Sequence, residues 1–451
     1  MEPRGTCRLV TLGCKVNQYE TQLLREALAA AGYRDAAADE PADLCVVNTC
    51  TVTAEADAKG RQLVRRLHEG QPRAAIVVSG CYAARDPAAL LRLPGVSKVI
   101  SDKSRLWDEL AEFGVQRPPA GIRRFDGHQR AFVKVQDGCL LNCSFCIIPR
   151  VRPILRSRPI GDIVGEVRHL LEEGYQEIVL TGIHLGHYGI DLSRGRPKSG
   201  WSRLWHLIDA LEELPGDFRV RLSSLEAAEV RGDLVAALAR SRRVCPHLHL
   251  CLQSGSDRIL TLMRRRYRRA SFLERCRRLR ALWHEPAFTT DVIVGFPGET
   301  EADFAETCEV VREAGFCKVH IFPFSPRQGT PAAELPGRVP PPVVAERQRR
   351  LRQLEQELAD AYCRRLIGQI LDVLVEGPDS SRSGYAQGTS CRYVPVAFPG
   401  YSPHLRRRRI AVRIVSAEAG VLVGEPVGSP TGEVANSPSP PSQAGAWELA
   451  S

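Results

Sequence analysis

The sequence predicts an α/β protein in three parts: an N-terminal α/β domain with a parallel sheet, a central partial (β/α)6 barrel and a small C-terminal β-barrel. Short apolar runs alternate with helical stretches through the first two parts, whereas short strands without long helices follow residue 368. The alternation is typical of parallel sheets built from βαβ units. A succession of short strands is typical of a small β-barrel.

The N-terminal part, which we place at residues 5–116, contains four apolar runs that we predict to be strands: CRLVTLG, LCVVNT, AAIVVSG and VSKVI. Helical patterns separate these runs, as expected for a sheet whose strands all point in one direction. A polar connector containing proline and glycine follows at residues 117–130.

The central part, which we place at residues 128–366, contains six candidate strands, centred near residues 134, 180, 222, 250, 292 and 321. Because helical patterns lie between most of them, they predict successive β/α units and an open or partial barrel. Residues 367–427 are predicted to form the small β-barrel. The Ser/Pro/Gly-rich residues 428–451 are predicted to be a disordered tail.

Composition restricts the class of protein. No run approaches eighteen apolar residues, and the first residues lack the layout of a signal peptide, so we expect a cytoplasmic protein without a membrane partner. Its 15 cysteines are then expected to be reduced, as metal ligands or buried thiols. The net charge of +10 suits an anionic partner such as nucleic acid, or reflects a surface rich in arginine.

The stretch DGCLLNCSFC places Cys139, Cys143 and Cys146 within eight residues, directly after the first predicted barrel strand. Active sites of (β/α) barrels lie in loops at such strand ends. Three thiolates can ligate three irons of a cubane cluster and leave the fourth iron open. The alternatives are accidental spacing and a zinc site completed by a distant ligand such as His247 or His249.

Three further cysteines follow strands of the N-terminal part. Cys14 comes after RLVTLG, Cys50 after VVNT and Cys81 after IVVSG. Because loops at the carboxyl ends of parallel strands converge, these thiols are predicted to meet as a second three-cysteine cluster site. The alternative is that they are ordinary buried cysteines, which is our interpretation of Cys45.

Several of these stretches resemble a known family. CLLNCSFC is similar to the cluster motif of radical S-adenosylmethionine (SAM) enzymes, and Phe145 matches its aromatic position. GCKVNQYE, VVNTCTVT and SGCYA resemble the N-terminal domain of the methylthiotransferases within that superfamily. The resemblance covers roughly residues 7–425 and implies a radical SAM barrel followed by a TRAM-like RNA-binding β-barrel.

The resemblance implies two [4Fe–4S] clusters. The cluster on Cys139, Cys143 and Cys146 would bind SAM at its open iron and cleave it to a 5′-deoxyadenosyl radical. A cluster on Cys14, Cys50 and Cys81 would be an auxiliary one, implicated in supplying sulfur, while a second SAM supplies the methyl group. No catalytic side chain beyond these ligands is implied.

The resemblance also implies contacts with SAM at the ends of barrel strands. The positions that match are Phe145, Thr181, Gly182, Gln253, Ile293 and Gly295. Taken singly, the glycines have the alternative role of turning the chain, and Gln253 that of capping a loop.

GCKVNQ and NTCTVT look most like the branch that acts on N6-threonylcarbamoyladenosine beside the anticodon of tRNA. The alternatives are a branch acting on isopentenyladenosine and, in a different class, a metal-stabilised RNA-binding module without SAM chemistry. We expect the tRNA anticodon loop as partner and a monomeric enzyme. The sequence identifies neither the electron donor nor the sulfur source.

Two basic stretches are candidates for RNA contact. In the C-terminal part they comprise Tyr385, Arg392, Tyr393 and the arginines at residues 406–409. The stretch RRRYRR, residues 264–269, is predicted to lie on a helix.

Three positions depart from the family pattern. Pro153 replaces a common glycine, Ala227 a common proline, and Cys251 stands where proline usually precedes LQSG.

Overall fold

The computed structural model describes residues 4–115 and 120–428, and its N-terminal part is a parallel five-stranded sheet in the order β2-β1-β3-β4-β5. The strands are β1 (Gly5–Thr11), β2 (Tyr33–Asp35), β3 (Leu44–Thr49), β4 (Ala75–Gly80) and β5 (Val96–Val99). The helices are α1 (Lys15–Ala30), α2 (Ala54–Gly70), α3 (Cys81–Arg85), α4 (Pro87–Leu91) and α5 (Leu106–Glu109). The short edge strand β2 was not predicted. Its sequence is YRD, with the tyrosine half-buried and the other two residues exposed.

The central part is a partial barrel of six parallel strands, to which the short antiparallel β7 is added at one edge. The strands are β6 (Ala131–Asp137), β7 (Arg156–Ser157), β8 (Glu177–Gly182), β9 (Arg219–Leu222), β10 (His247–His249), β11 (Ala287–Val294) and β12 (Lys318–Pro323). Bridges between Val220 and Val244 and between Leu225 and Leu250 join the two halves, β6-β8-β9 and β10-β11-β12. The predicted fold class is therefore confirmed.

Helices cover the outside of this barrel. They are α6 (Ile148–Val151), α7 (Ile160–Glu172), α8 (Leu204–Glu212), α9 (Asp233–Arg240), α10 (Asp257–Leu262), α11 (Arg269–Arg280), α12 (Glu301–Ala314) and α13 (Pro341–Arg365). Their ends follow local chemistry: the Thr300 hydroxyl accepts from the Asp303 amide, and the Asp303 carboxylate accepts from the Thr300 amide at 2.8 Å. This capping box starts α12, and left-handed Gly315 ends it.

The C-terminal part is a closed five-stranded barrel in the order β13-β14-β15-β17-β16. Its strands are β13 (Ile370–Pro378), β14 (Tyr385–Ser390), β15 (Pro395–Pro399), β16 (Arg409–Glu418) and β17 (Val421–Pro426). Alternating residues of these strands, such as Val373 and Val375, fill its interior.

The small barrel packs against the amino ends of the central strands. Glu177 at the start of β8 is fully buried and pairs with Arg219 and Arg221 of β9. The two arginines also donate to backbone carbonyls of the small barrel, including that of Asp372 at 2.7 Å. The interface therefore lies at the end of the central barrel opposite to its cysteine loop.

Part of the predicted connector, residues 117–119, and the predicted tail beyond Gly428 lie outside the described residues. Within the described part of the chain, no helix combines the length and apolar character that crossing a membrane requires.

Candidate functional site

The central cysteines occupy the loop that leaves β6 at its carboxyl end. Gly138 adopts a φ of +76° there, and a side chain at this position would collide with a backbone carbonyl. The loop then wraps around its own thiols: the Leu141 amide donates to Cys139 Sγ at 3.4 Å, and the Cys146 amide donates to the Cys143 carbonyl at 3.1 Å. Burial raises the pKa of Cys139 to about 11 and that of Cys146 to about 12.

The N-terminal cysteines come together at the carboxyl edge of the sheet, although 36 and 31 positions separate them in sequence (50 − 14 and 81 − 50). Cys14 precedes α1, Cys50 follows β3 and Cys81 opens α3. A side chain added at Gly13 would place its Cβ 3.0 Å from Cys50 Sγ. Burial raises the pKa of Cys50 to about 11, and charge at Cys81 or Cys14 would raise it further.

Spacing of the sulfurs distinguishes the kinds of metal site. Within the described part of the chain, neither trio has all three of its Sγ atoms within 4.8 Å of one another. A tetrahedral zinc with Zn–S bonds of about 2.3 Å needs sulfurs about 3.8 Å apart. A cubane cluster carries its thiolates on separate corners and accepts wider spacing. The sulfurs of either trio would therefore have to move closer together for all three to bind a single zinc ion.

His247 and His249 are engaged away from the central trio. The ring of His247 stacks on Tyr393 of the small barrel, with ring centres 4.7 Å apart. Both histidines contact the Thr289 hydroxyl, at 3.2 and 3.0 Å. These contacts therefore do not support a zinc site in which either histidine is the fourth ligand beside Cys139, Cys143 and Cys146.

Each trio receives one buried arginine. Arg265 Nη1 donates to Cys143 Sγ at 3.2 Å, and Arg152 Nε donates to Cys81 Sγ at 3.4 Å. A guanidinium remains charged at all physiological pH values, so each places a fixed positive charge beside one sulfur. Hydrogen bonds to the sulfurs also tune the reduction potential of an iron–sulfur cluster. Sequence reasoning assigned neither residue to a cysteine trio, and it placed Arg265 in a stretch expected to contact RNA, whereas the structure buries it.

Arg152 sits in a buried network that joins the N-terminal part to the barrel. Its guanidinium pairs with Glu20 of α1 and with Asp137 of β6, each at 2.8 Å, and Lys134 bridges the same two carboxylates. Burial alone would raise the pKa of both acids. The cations outweigh it, holding the pKa of Glu20 well below its usual range and that of Asp137 at about 2. Arg152 is thus fixed in position beside Cys81.

Arg265 lies in the stretch predicted to be helical, and that prediction was wrong. Helix α10 ends at Leu262, Arg264 takes a left-handed φ of +58°, and α11 begins only at Arg269. This turn directs Arg265 inward to Cys143, with Glu226 Oε1 3.6 Å from Arg265 Nη2. Both carboxylate oxygens of Glu226 are buried without a hydrogen-bond partner in the described part of the chain.

Thr181 and Gly182 end the second barrel strand, β8, next to the cysteine loop. Thr181 is buried, and a Cβ on Gly182 would lie 3.0 Å from Gln136 Oε1. Gln136 accepts from the His184 amide at 2.8 Å and donates to the Gly138 carbonyl at 2.5 Å. One buried side chain thus couples the loop after β8 to the loop carrying the cysteines.

Of the remaining positions matched to SAM contacts, Phe145 lies in the cysteine loop, and the other three lie at or just beyond the ends of β10 and β11. Phe145 and Ile293 pack in one apolar cluster with Phe296. Gln253 holds a positive φ of +62° and exchanges backbone hydrogen bonds with β11, donating at 2.8 Å and accepting from Ile293 at 2.9 Å. Gly295 has a φ of +78°, and its amide donates to a glutamate side chain at 2.8 Å. The structure brings Phe145 and Ile293 together, while Gly295 is committed to a turn.

An acid–base group that sequence reasoning missed flanks the cysteine loop. His184 Nε2 lies 2.6 Å from Glu229 Oε1, and His187 Nδ1 accepts from the Leu140 amide at 3.3 Å. Burial and His184 lower the pKa of His187 to about 4. The available signal was the histidine directly after the strand end in TGIHLG.

A cavity of about 540 Å³ lies between the N-terminal sheet and the barrel. Its lining includes Ser79 and Gly80, the two residues before Cys81, together with Glu20, Lys134 and Arg152. The cavity therefore adjoins the N-terminal cysteines, and its largely apolar lining carries several charged side chains.

Two of the side chains that we expected to contact RNA also contact the central part. Tyr393 stacks on His247, with the Arg221 guanidinium 4.9 Å from its ring centre. Arg392 is buried and donates to the His284 carbonyl at 2.5 Å. For Arg392 the expectation was wrong, because sequence alone cannot distinguish an interface arginine from a solvent-facing one, whereas Tyr393 is exposed and stays a candidate for RNA contact.

The arginine run after residue 405 is divided in the same way. Arg409 pairs with Asp372 at 2.8 Å, and the guanidinium of Arg407 lies 4.3 Å from the ring centre of Tyr175. Arg406 and Arg408 are exposed. These two arginines remain the part of the run available to a partner.

Of the three departures from the family pattern, Pro153 is exposed next to Arg152, and Ala227 is buried. Cys251 is half-buried beside His249 and Asp291.

Comparison with known families gives two matches. Residues 6–101 match the uncharacterized protein family UPF0004, and residues 133–311 match the radical SAM superfamily. The first match contains Cys14, Cys50 and Cys81, and the second contains Cys139 and its two neighbours in the motif.

Curated relatives match along most of the chain. A threonylcarbamoyladenosine tRNA methylthiotransferase, MtaB, of Chlamydia pneumoniae is 39% identical over 427 residues, covering 94% of this chain and 99% of the relative. The enzyme of the same name from Bacillus subtilis is 37% identical, covering 88% and 91%. A tRNA-2-methylthio-N(6)-dimethylallyladenosine synthase of Acidothermus cellulolyticus is 37% identical, covering 82% and 77%.

Among solved structures, the fold is similar to that of the radical SAM methyltransferase TsrM from Kitasatospora setae. The TM-score is 0.54 at 14% identity, covering 74% of this chain and 77% of that one. This likeness concerns the fold alone.

Proposed function

The chain belongs to the radical SAM methylthiotransferase family, and on that premise we propose that it methylthiolates C2 of N6-threonylcarbamoyladenosine next to the anticodon of tRNA. The proposed enzyme uses two [4Fe–4S] clusters and two molecules of SAM. The observation that carries this proposal is the pair of cysteine trios, each at the carboxyl end of parallel strands and each with a buried arginine on one sulfur.

Cys139, Cys143 and Cys146 are proposed to hold the cluster that binds SAM. When bound and reduced, that cluster supplies the electron that cleaves SAM to a 5′-deoxyadenosyl radical, chemistry that side chains cannot provide. The chain contributes the positioning: its loop buries the thiols, and Arg265 offsets their negative charge. Phe145, Thr181, Gly182, Gln253, Ile293 and Gly295 stay proposed contacts for SAM.

Cys14, Cys50 and Cys81 are proposed to hold the auxiliary cluster. Arg152 is placed to neutralise charge at Cys81, and the charged cavity beside Ser79 gives this edge of the sheet access to a second reactant. The same proposal assigns residues 5–116 to the auxiliary-cluster domain, 128–366 to the radical SAM domain and 367–427 to an RNA-binding barrel.

The choice of nucleoside rests on similarity. A relative named for threonylcarbamoyladenosine is 39% identical over 94% of this chain, and the stretches GCKVNQ and NTCTVT resemble that branch. Relatives named for dimethylallyladenosine are 36–38% identical over 82–93% of this chain, which makes isopentenyladenosine the second candidate. Either base in an anticodon loop is single-stranded, so reaching it requires little unpairing.

The test is an anaerobic assay with two tRNA substrates, one carrying N6-threonylcarbamoyladenosine and one carrying isopentenyladenosine. Mass spectrometry of the digested nucleosides is expected to show a methylthio group on the first. Exclusive modification of the second would replace the proposed nucleoside by the alternative. If neither is modified while SAM is cleaved, tRNA methylthiolation itself is refuted.

A further inference from the structure

Outside the two cysteine trios, three different metal-ligating side chains meet in the lumen of the central barrel. His249 Nε2, Cys251 Sγ and a carboxylate oxygen of Asp291 all lie within 4.8 Å of one another. The imidazole and the carboxylate are 3.3 Å apart, and the ring of His320 on the next strand stands 5.8 Å from that of His249. The three ligand atoms are therefore almost close enough together to bind one metal ion.

The three residues share one side of the lumen because strand geometry puts them there. His249 ends β10 and Cys251 follows two residues later, so both point the same way, and Asp291 lies on the neighbouring strand β11. Gln253 and Ile293 lie two residues further along the same chain segments. The group thus stands one layer of side chains below the proposed contacts for SAM.

Hydrogen bonding prepares His249 to ligate through Nε2. The Thr289 hydroxyl contacts His249 Nδ1 at 3.0 Å and His247 Nε2 at 3.2 Å. A hydroxyl that donates to His247 Nε2 and accepts from His249 Nδ1 leaves the lone pair of His249 Nε2 facing Cys251 and Asp291.

The surroundings also favour positive charge at this point. His249 Nε2 is buried without a hydrogen bond in the described part of the chain. The Asp291 carboxylate lies 3.3 Å from this nitrogen and Cys251 Sγ lies within 4.8 Å of both, so an anionic oxygen and a sulfur stand beside the unpaired nitrogen.

We propose that His249, Cys251 and Asp291 form a mononuclear zinc site in the barrel lumen. One thiolate, one imidazole and one carboxylate are a ligand set typical of Zn²⁺ with an open fourth position. Cys251 stands where the family usually has proline, so the site belongs to this chain rather than to the family pattern. The fourth position faces the lumen and takes water or a thiolate.

The test uses the full-length protein, reconstituted anaerobically with iron and sulfide, loaded with Zn²⁺ and passed through a desalting column. Elemental analysis is expected to find one zinc per chain in addition to the iron. Cys251→Ala and Asp291→Asn are expected to lose that zinc while the iron content stays unchanged. Cys391→Ala, a half-buried cysteine in the small barrel, is the matched control and retains zinc. Thr289→Val is expected to weaken the binding of Zn²⁺ about 10- to 100-fold.

Zinc K-edge absorption of the unmodified protein makes the outcome independent of any variant. We expect one sulfur at about 2.3 Å with nitrogen and oxygen neighbours. A shell of three or four sulfurs would place the zinc on the cluster cysteines and overturn the proposal, as would the absence of retained zinc. Zinc that persists in both Cys251→Ala and Asp291→Asn would overturn it too. The site is independent of the auxiliary cluster, whose loss is read from iron rather than from zinc.

Discussion

The two cysteine trios arrive at similar arrangements by different routes. Cys139, Cys143 and Cys146 come from one loop of eight residues, whose shape is set by local hydrogen bonds. The N-terminal trio is assembled only when three strands of a parallel sheet are in register. The first set therefore depends on contacts within one loop, whereas the second depends on the pairing of three strands.

The arginines follow the same contrast. Arg265 comes from a turn within the central part and approaches Cys143, whereas Arg152 comes from the barrel and crosses to Cys81 in the N-terminal part. Because Arg152 follows the central cysteines by only six positions (152 − 146), the chain that carries the first trio also stabilises the second. The two proposed clusters are thus mechanically connected through one buried side chain.

The largest expected effect separates the two trios by function. Cys143→Ala is expected to reduce formation of 5′-deoxyadenosine to background, because one ligand of the SAM-binding cluster is lost. The combined change of Cys14, Cys50 and Cys81 to Ala is expected to keep SAM cleavage within a few-fold and to abolish methylthiolation. Chromatography of the nucleosides measures both products. If the triple variant lost SAM cleavage while its central cluster was intact, the assignment of SAM cleavage to the central trio alone would be wrong.

The next effect concerns the end of the barrel away from both trios. Glu177→Gln leaves buried Arg219 and Arg221 without their shared carboxylate and is expected to destabilise the protein by about 3–5 kcal/mol. Glu418→Gln, which breaks an exposed pair in the small barrel, is the control and is expected to cost less than about 1 kcal/mol. Urea unfolding measures the difference. Iron content well below the native value in folded Glu177→Gln would contradict the separation of the two ends.

Acid is expected to weaken the same interface. Burial raises the pKa of Glu177, but Arg219, Arg221 and Arg130 outweigh it and hold this pKa well below its usual range. Because the folded pKa is depressed, the carboxylate contributes full stability above its unfolded pKa of about 4.3 and loses it as pH falls further. The unfolding free energy is therefore expected to fall below about pH 4.3 and to fall less steeply in Glu177→Gln.

Much of this architecture could be predicted from sequence because its signals are periodic or local. The alternation of strands and helices fixed the class of each part, and C-x3-C-x2-C was visible within one loop. Arg152 and Arg265 could not be found this way, since their partners lie 71 and 122 positions away. Arg392 was misjudged because an interface arginine and an arginine that contacts RNA are the same residue type in sequence.

A smaller effect tests the link between the trios. Arg152→Met leaves Glu20 and Asp137 with only their lysine partners. It is expected to destabilise the protein by about 3 kcal/mol, the lower end of the range expected for Glu177→Gln. It is also expected to shift the potential of the auxiliary cluster alone, measured by redox titration with electron paramagnetic resonance. Arg150→Met, an exposed neighbour, is the control. A shift confined to the central cluster would contradict the assignment of Arg152.

The smallest expected effect lies on the small barrel. Changing exposed Arg406 and Arg408 together to Ala is expected to weaken tRNA binding a few-fold and to reduce its salt dependence by about two phosphate contacts. Arg277→Ala, an exposed change on α11, serves as control. Titration of tRNA at several salt concentrations measures both. An unchanged salt slope would exclude this pair from the RNA surface.

The measurement that tests the central claim most directly is the iron content of the anaerobically reconstituted protein. Two cubane clusters predict about eight irons per chain, and replacement of Cys14, Cys50 and Cys81 by Ala predicts about four. Full iron loading in that triple variant would contradict a second cluster on the N-terminal sheet.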